Sequence, residues 1–444
     1  MPVKTEVSTA LPEAFSEKAL LQISSAARDP EWLKELRLAG LSRAQEVAPP
    51  SRDMEAWRRT DPTRFRLEGL SAATPAAPAS AEQVAGFIHE AEVGEVRGGL
   101  LVTVDGVPAL REAARELSVP GLVFTDFVSG LREHDGRFRA QLFAGQAVDT
   151  LDRWSSLNAA FATGGACVRV PRGAQLELPL WLLHRLEAPS KGLFLHTLIC
   201  AEEGASVTVV EVLDGSDAAG GLVHASVDVV AEPGAQVHYL RMQEVGRDTL
   251  FLSRERLAAH RDAQVDWSWG ALGARMAKSE MEAHLLGEGA RAMISGFYHG
   301  GGTQHLDHHT FQNHLKGNTT SDLLYKGALE ERARSVYMGV IKIHQDAQRS
   351  DAYQANRNLI LSNAARSDSI PSLEIEANDV RCTHGATMGQ VDEEQLFYLL
   401  SRGLSRADAT RLIVEGFYEP VFDRIASQTV REFSRARLQK RLSL

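Results

Sequence analysis

"EGASVTVVEVLDGSDAAGGLVHASVDVVAEPGAQVHY", residues 203–239, contains the same device twice. A small-residue corner, Gly204-Ala205 and again Gly234-Ala235, opens a strand-like run in which apolar and polar residues alternate. Related corners begin at 172 ("RGAQLEL"), 261 ("RDAQVDW") and 288 ("EGARAMI"), so that successive starts lie 31, 30, 28 and 27 residues apart. "ERARSVYM" at 331 and "NAARSDSI" at 363 extend the series after a wider gap. Recurrence at a period of this size is the mark of a solenoid. No helix-forming segment of useful length separates the strands, which argues against crossover βαβ units. Stacked coils that bury alternate side chains, with small residues where the backbone turns sharply, make a β-helix. A two-sheet sandwich is the alternative.

The chain of 444 residues is longer than one compact core usually holds, and its composition is that of an ordinary soluble protein. A net charge of −10 and a pI near 5.9 argue against a phosphate-binding protein, which would show a basic face, so no nucleic-acid partner is expected. Three cysteines are too few for a disulfide framework and lack zinc-site spacing, which fits a reducing cytoplasmic setting. The first residues have no continuous apolar run of the signal-peptide kind. "LELPLWLLHRL" is interrupted by Pro179 and Arg185 and is too short to span a bilayer, so no membrane partner is expected.

Outside the repeats the periodicity changes. In "EWLKELRLAGLSRAQEV", Trp32, Leu36 and Leu41 share roughly one helical face. "SAATPAAPAS" (71–80) reads as a linker, "AEQVAGFIHEA" as a helix and "LLVTVDGVPAL" as a hairpin turning at Asp-Gly. Three helices are expected in the tail, at 392–402, 405–416 and 420–437. Asp392 and Ser405 serve as N-caps, with Gln395 as capping-box partner of the first, and Gly403 gives the left-handed stop. Leu396, Leu399 and Leu400, then Ala409, Leu412 and Ile413, then Phe422, Ile425, Thr429 and Phe433, form the inward stripes. Such a tail is a cap for the last coil, a docking surface, or both.

The candidate site is "NDVRCTHGATMG" (378–389). On an extended chain Cys382 and His384 point the same way, and thiolate with imidazole suits iron or zinc. Two ligands are half a site, and the plainer reading makes Cys382 a small buried hydrophobe. "HGGGTQHLDHHTFQNHL" (299–315) places His305, Asp307 and His309 on one strand face, a weaker metal candidate. Trp267 and Trp269 in "DWSWG" would suit carbohydrate stacking, though core packing is commoner. Cys167 and Cys200 read as core. The chain has no phosphate-loop, nucleophile-elbow or zinc-protease motif, so nothing names a catalytic constellation.

Several stretches together resemble the SufB/SufD family of iron–sulfur cluster assembly proteins. They are "SLNAAFATGGACVRVPRGAQLELPLWL" (156–182), "TSDLLYKGAL" (320–329), "AQRSDAYQANRNLILS" (347–362), "LEIEANDVRCTHGATMG" (373–389) and "DEEQLFYLLSRGLSRADATRLIVEGF" (392–417). "CTHGAT", with Gly385 where the SufB type carries glutamate, is similar to the SufD type, and so is "EAWRRTDPTRF" (55–65). The resemblance implies a mainly β chain: a right-handed parallel β-helix over 157–384, an N-terminal helical domain over 1–156 and a C-terminal helical domain over 385–444. It implies a scaffold rather than an enzyme, pairing with a SufB-like subunit and holding a SufC-like ABC-type ATPase through the tail. It also implies a transient iron–sulfur cluster or iron shared with SufB, and reduced flavin in the complex. The family's functional histidine falls on His384 and its neighbouring cysteine on Cys382. A homodimer of the isolated chain stays open, as do an inert adaptor and a polysaccharide-active β-helix enzyme as alternatives.

Overall fold

The computed structural model describes residues 10–72, 78–113, 119–217 and 219–442. From Ala166 to Gln390 the chain is a parallel β-solenoid of about 8 turns. Successive strands alternate between two sheets, each of ten strands among the described residues. In the first sheet Lys191–Ala201, Gly221–Ala231 and Thr249–Ala259 pair in parallel, and the series runs on to Arg366–Ile375. The second runs from Leu180–Leu186 through Ser206–Gly215 and Gln236–Glu244 to Arg381–Gln390. Parallel register from coil to coil excludes the sandwich.

Alternation along each strand sorts side chains into three cores. Val223, Ala225, Val227 and Val229 point between the sheets, with Val237, Tyr239, Trp267 and Trp269 facing them. Leu222, Leu250 and Leu252 point outward and are covered by N-terminal helices, of which Glu31–Glu46 and Arg153–Phe161 pack on one another. Leu240, Met242, Trp181 and Phe297 point outward from the second sheet and are covered by Ala81–Glu90 and the tail. Burial on both faces explains why strands such as "LWLLHRL" read as continuous rather than alternating apolar runs.

The corners behave as their residues dictate. Gly204, Gly234 and Gly289 have φ of 68°, 70° and 76°, and Asp262 takes the same left-handed conformation at 57°. Each is followed by a fully buried alanine: Ala205, Ala235, Ala263 and Ala290. The series does not continue at 331 and 363, however. Those corners precede strands of the first sheet, whereas the earlier ones precede strands of the second. The true continuation is Asn318 (φ 57°) and Arg349 (φ 60°), with Thr319 and Ser350 in place of alanine and joined by a 2.8 Å hydroxyl–hydroxyl bond. A polar pair that satisfies itself fills the alanine slot, and the repeat becomes invisible in composition.

Near the N-terminus, Ser80 and Gln83 form the reciprocal capping box of Ala81–Glu90. The hairpin Gly99–Val104/Val107–Ala113 turns at Asp105-Gly106, both with positive φ. Residues 73–77 of the expected linker lie outside the described residues. The buried face of Glu31–Glu46 is Leu33, Arg37, Gly40, Leu41 and Ala44, with Trp32 and Leu36 half-buried beside it. Arg37 is inside because Asp29, at 2.7 Å, and the carbonyls of Ala160 and Ala162 receive its guanidinium.

The tail helices are Glu393–Ser401, Arg406–Phe422 and Gln428–Leu442, and Asp392 and Ser405 cap the first two as expected. Pro420 does not open the third helix; it sits in the last turn of the second. There, two residues from the helix end, its missing N–H forfeits a single bond. The inward face of that helix is Ala409, Val414, Tyr418, Val421 and Phe422, while Leu412 is exposed. Tyr418 donates its hydroxyl to the carbonyl of Tyr298 at 2.6 Å, and Phe433 meets the edge of Trp181. The two long helices therefore lie along the outer face of the second sheet, and they do not cover the last coil.

Candidate functional site

The solenoid ends in two strands, Arg366–Ile375 and Arg381–Gln390, that each have a neighbour on one side only among the described residues. Elsewhere in the solenoid the strands are largely buried, but here nearly every residue is exposed or half-exposed. Ile375 and Met388 are 43% and 57% exposed. Ten-residue edges of this kind present unpaired N–H and C=O groups and template the addition of another strand. Sequence reading does not find this edge, because what defines it is the lack of a neighbour.

Cys382 and His384 lie on the terminal strand, in register with Ala352 and Gln354. Cys382 is half-buried against Ile341, Ile343, Ala347 and Ala352, while His384 is exposed. Burial, helped by the negative charge of Asp351, pushes the Cys382 thiol up to about 11. In the chain alone this sulfur is a protonated thiol at neutral pH, and ligation requires a metal or a nearby cation to displace the proton. Among the described residues no group of three or more His, Cys, Asp or Glu side chains could hold a metal ion. The pair thus supplies two donors, one soft and one borderline, at an edge where further donors would have to come from elsewhere.

The other candidates are accounted for within the fold. His305, Asp307 and His309 do share a face, but Lys278 Nζ occupies its centre, 3.1 Å from Asp307 and 3.0 Å from His309 Nε2. Thr60 closes the group by bonding to His305 Nε2 at 2.7 Å and donating to Asp307. An ammonium already neutralises the carboxylate that a metal would need. Trp267 and Trp269 are buried between the sheets, which removes the support for a carbohydrate platform. Cys167 and Cys200 are buried, and desolvation raises both thiols, Cys200 to about 12.

A second exposed feature is apolar. Phe397 and Tyr398 on Glu393–Ser401, and Leu412 on the next helix, are 72%, 56% and 49% exposed. Three large apolar side chains thus stand in water on two helices that pack on one another.

A family model described as "SUF system FeS cluster assembly, SufBD core domain" matches residues 184–417, more than half of the chain. The chain belongs to the SufBD family. It is 29% identical to the iron–sulfur cluster assembly protein SufD of Bacillus subtilis over 430 residues, 94% of this chain and 96% of that protein. It is also 28% identical to SufB of the same organism over 428 residues, 95% and 92% of the two chains. A SufBD family protein of Staphylococcus haemolyticus is 28% identical over 430 residues. The match spans nearly the whole solenoid, and it makes this an iron–sulfur cluster assembly protein with relatives of both the SufD and the SufB type. No helix among the described residues is long and apolar enough to cross a membrane.

Proposed function

We propose that this SufBD protein is a non-enzymatic, cytoplasmic scaffold subunit whose open edge pairs with a SufB-type partner. Cys382 and His384 there contribute half of the ligands through which iron enters a nascent cluster. The observation that carries this reading is the coincidence of the two donors with the uncovered terminal strand. A site split between two chains holds iron only when both are present, which ties loading to assembly. Weak, partly open ligation also lets the product leave. Tyr418, Phe422 and Phe433 are committed to the fold, so docking of a SufC-type ATPase falls to the exposed Phe397, Tyr398 and Leu412.

The test is co-purification and anaerobic reconstitution with SufB- and SufC-type partners, measuring iron and acid-labile sulfide. His384→Ala should leave the complex intact by size exclusion yet sharply lower cluster yield, and Cys382→Ala should be milder. Phe397→Asp combined with Leu412→Asp should release the ATPase alone. Wild-type cluster yield in His384→Ala would refute the split site and leave an inert adaptor. A homodimer that persists when the SufB-type partner is added would refute the pairing.

A further inference from the structure

The overall charge of −10 conceals a local excess of the opposite sign. The segment containing Arg52, Arg59 and Arg64 crosses the outer face of the first sheet where its strands begin. Together with Arg275 and Arg334 it surrounds a pocket of about 330 Å³. Asp61 is the one carboxylate in the lining, against five guanidiniums. The floor is a single ladder position of the solenoid: Leu250, Met276, His305 and Arg334 are register partners in successive coils. The segment above is pinned by the contacts of Thr60 with His305 and Asp307, and by the bonds from the Thr63 amide and hydroxyl to Asp61.

Three of the arginines have carboxylate partners that leave part of each fork unused. Arg52 pairs with Asp61 at 3.1 Å, Arg59 with Glu55 at 3.0 Å and Arg334 with Asp368 at 2.6 Å. The buried Nε of Arg334 has no acceptor. Arg64 and Arg275 have no carboxylate partner among the described residues, and both are exposed. Three carboxylates, Asp61, Glu55 and Asp368, offset part of the charge of the five guanidiniums, and a multiply charged, oxygen-rich anion would neutralise the excess that remains. Guanidinium forks match phosphate oxygens two at a time, and an all-arginine set without lysine is the composition such recognition favours. A pocket of this volume, with Leu250 and Met276 as its apolar side, is of small-molecule size.

We propose that this pocket binds a small molecule bearing a pyrophosphate or several phosphate groups. The acidic pI argued against phosphate binding, but that figure sums the whole surface, whereas binding responds to the charges within about a Debye length, near 10 Å.

The test is calorimetric titration of the full chain with inorganic pyrophosphate, at low and at roughly physiological salt. Citrate serves as a carboxylate probe. The expected result is one saturable pyrophosphate site that weakens with salt and binds citrate less tightly. Arg64→Ala with Arg275→Ala removes two charge-assisted contacts and should weaken binding about tenfold to a hundredfold, with the melting temperature unchanged because neither side chain is packed. Arg172→Ala, on an exposed arginine elsewhere, should change nothing. Absence of saturable pyrophosphate binding, or unchanged binding in the double variant, overturns the site. Equal affinity for citrate overturns the phosphate assignment.

Discussion

Glu211→Ala tests how the solenoid tolerates charge between its sheets. The Glu211 carboxylate is fully buried and accepts from Thr197 Oγ1 at 2.5 Å, from the Tyr239 hydroxyl, and from Arg241 Nε and a terminal nitrogen, each at 2.6 Å. His184 Nε2 lies 3.3 Å away, close enough to act through charge. Arg241 and these hydrogen bonds outweigh desolvation and hold the carboxyl well below the usual range. Deleting it leaves Arg241 facing Glu255 at 3.6 Å and the carbonyl of Ala225 at 3.3 Å. Glu255, at the longer distance and with its own carboxyl raised by burial to about 7 in the intact protein, replaces Glu211 only in part. Breaking a buried pair in this way costs about 3–5 kcal/mol, roughly a fifth or more of a typical domain's stability. Replacing both partners, Glu211→Leu with Arg241→Met, should recover about half of that loss. What remains, roughly 1–3 kcal/mol, reflects the orphaned hydroxyls of Thr197 and Tyr239. Urea unfolding followed by tryptophan fluorescence reads the effect where it occurs, since Trp267 packs at a tilt against Tyr239 and Trp269 lies beside Arg241. Because a solenoid need not unfold as one unit, amide protection in Gln236–Glu244 should fall in step. A single variant within about 1 kcal/mol of wild type, or a double variant no more stable than the single, would refute this account.

Acid should destabilise the solenoid from about pH 6.5 downward. Burial holds His308 down to about 3 and His299 and His314 to about 4, so between those values and 6.5 the unfolded chain binds protons that the folded chain refuses. Each site then removes up to roughly 1.4 kcal/mol per pH unit, and nothing above pH 6.5. Glu255, raised to about 7, acts with the opposite sign from about 4.5 to 7 and offsets one histidine's share. Melting temperature should fall between pH 7 and 5, and His314→Gln should flatten that fall; a flat wild-type profile would contradict it. Gly327→Ala places a methyl carbon 2.0 Å from the Tyr298 ring, whose hydroxyl is tied to Asn358, and should cost about 1–3 kcal/mol by thermal melting. In the isolated chain Cys382 should react with iodoacetamide at pH 8 roughly a hundredfold more slowly than a free cysteine, followed by mass spectrometry. Ordinary reactivity would mean that the thiol is not suppressed.

The readable parts of this chain are those written in local chemistry. Gly-Ala corners need φ > 0 and a small inward neighbour, so Gly204, Gly234 and Gly289 announce themselves. Asn318 and Arg349 reach the same conformation without glycine, and the coils they begin escape the count. Caps at Asp392 and Ser405 are legible because each cap is a bond between near neighbours. Which helix face turns inward is decided by the sheet beneath, and Leu412, periodic but exposed, shows the limit. The shared face of Cys382 and His384 follows from strand alternation, whereas their place at an edge depends on the whole stack. Most remote of all is the arginine pocket, whose members come from three separate stretches of chain and meet only through the register of the coils.

The two ends of the solenoid differ in a way that would limit growth through its strand edges. At the starting end the sheets finish in Val107–Ala113 and in the four-residue Val123–Asp126, both antiparallel to their neighbours. At the finishing end both sheets stop on full-length parallel strands. A long templating edge at both ends would let copies add head to tail without limit, as in a fibre. With only one such end, two chains that paired through it would meet face to face, about a two-fold or pseudo-two-fold axis. Association through these long parallel edges would therefore terminate at two chains, with only the shorter antiparallel strands left at the outer ends.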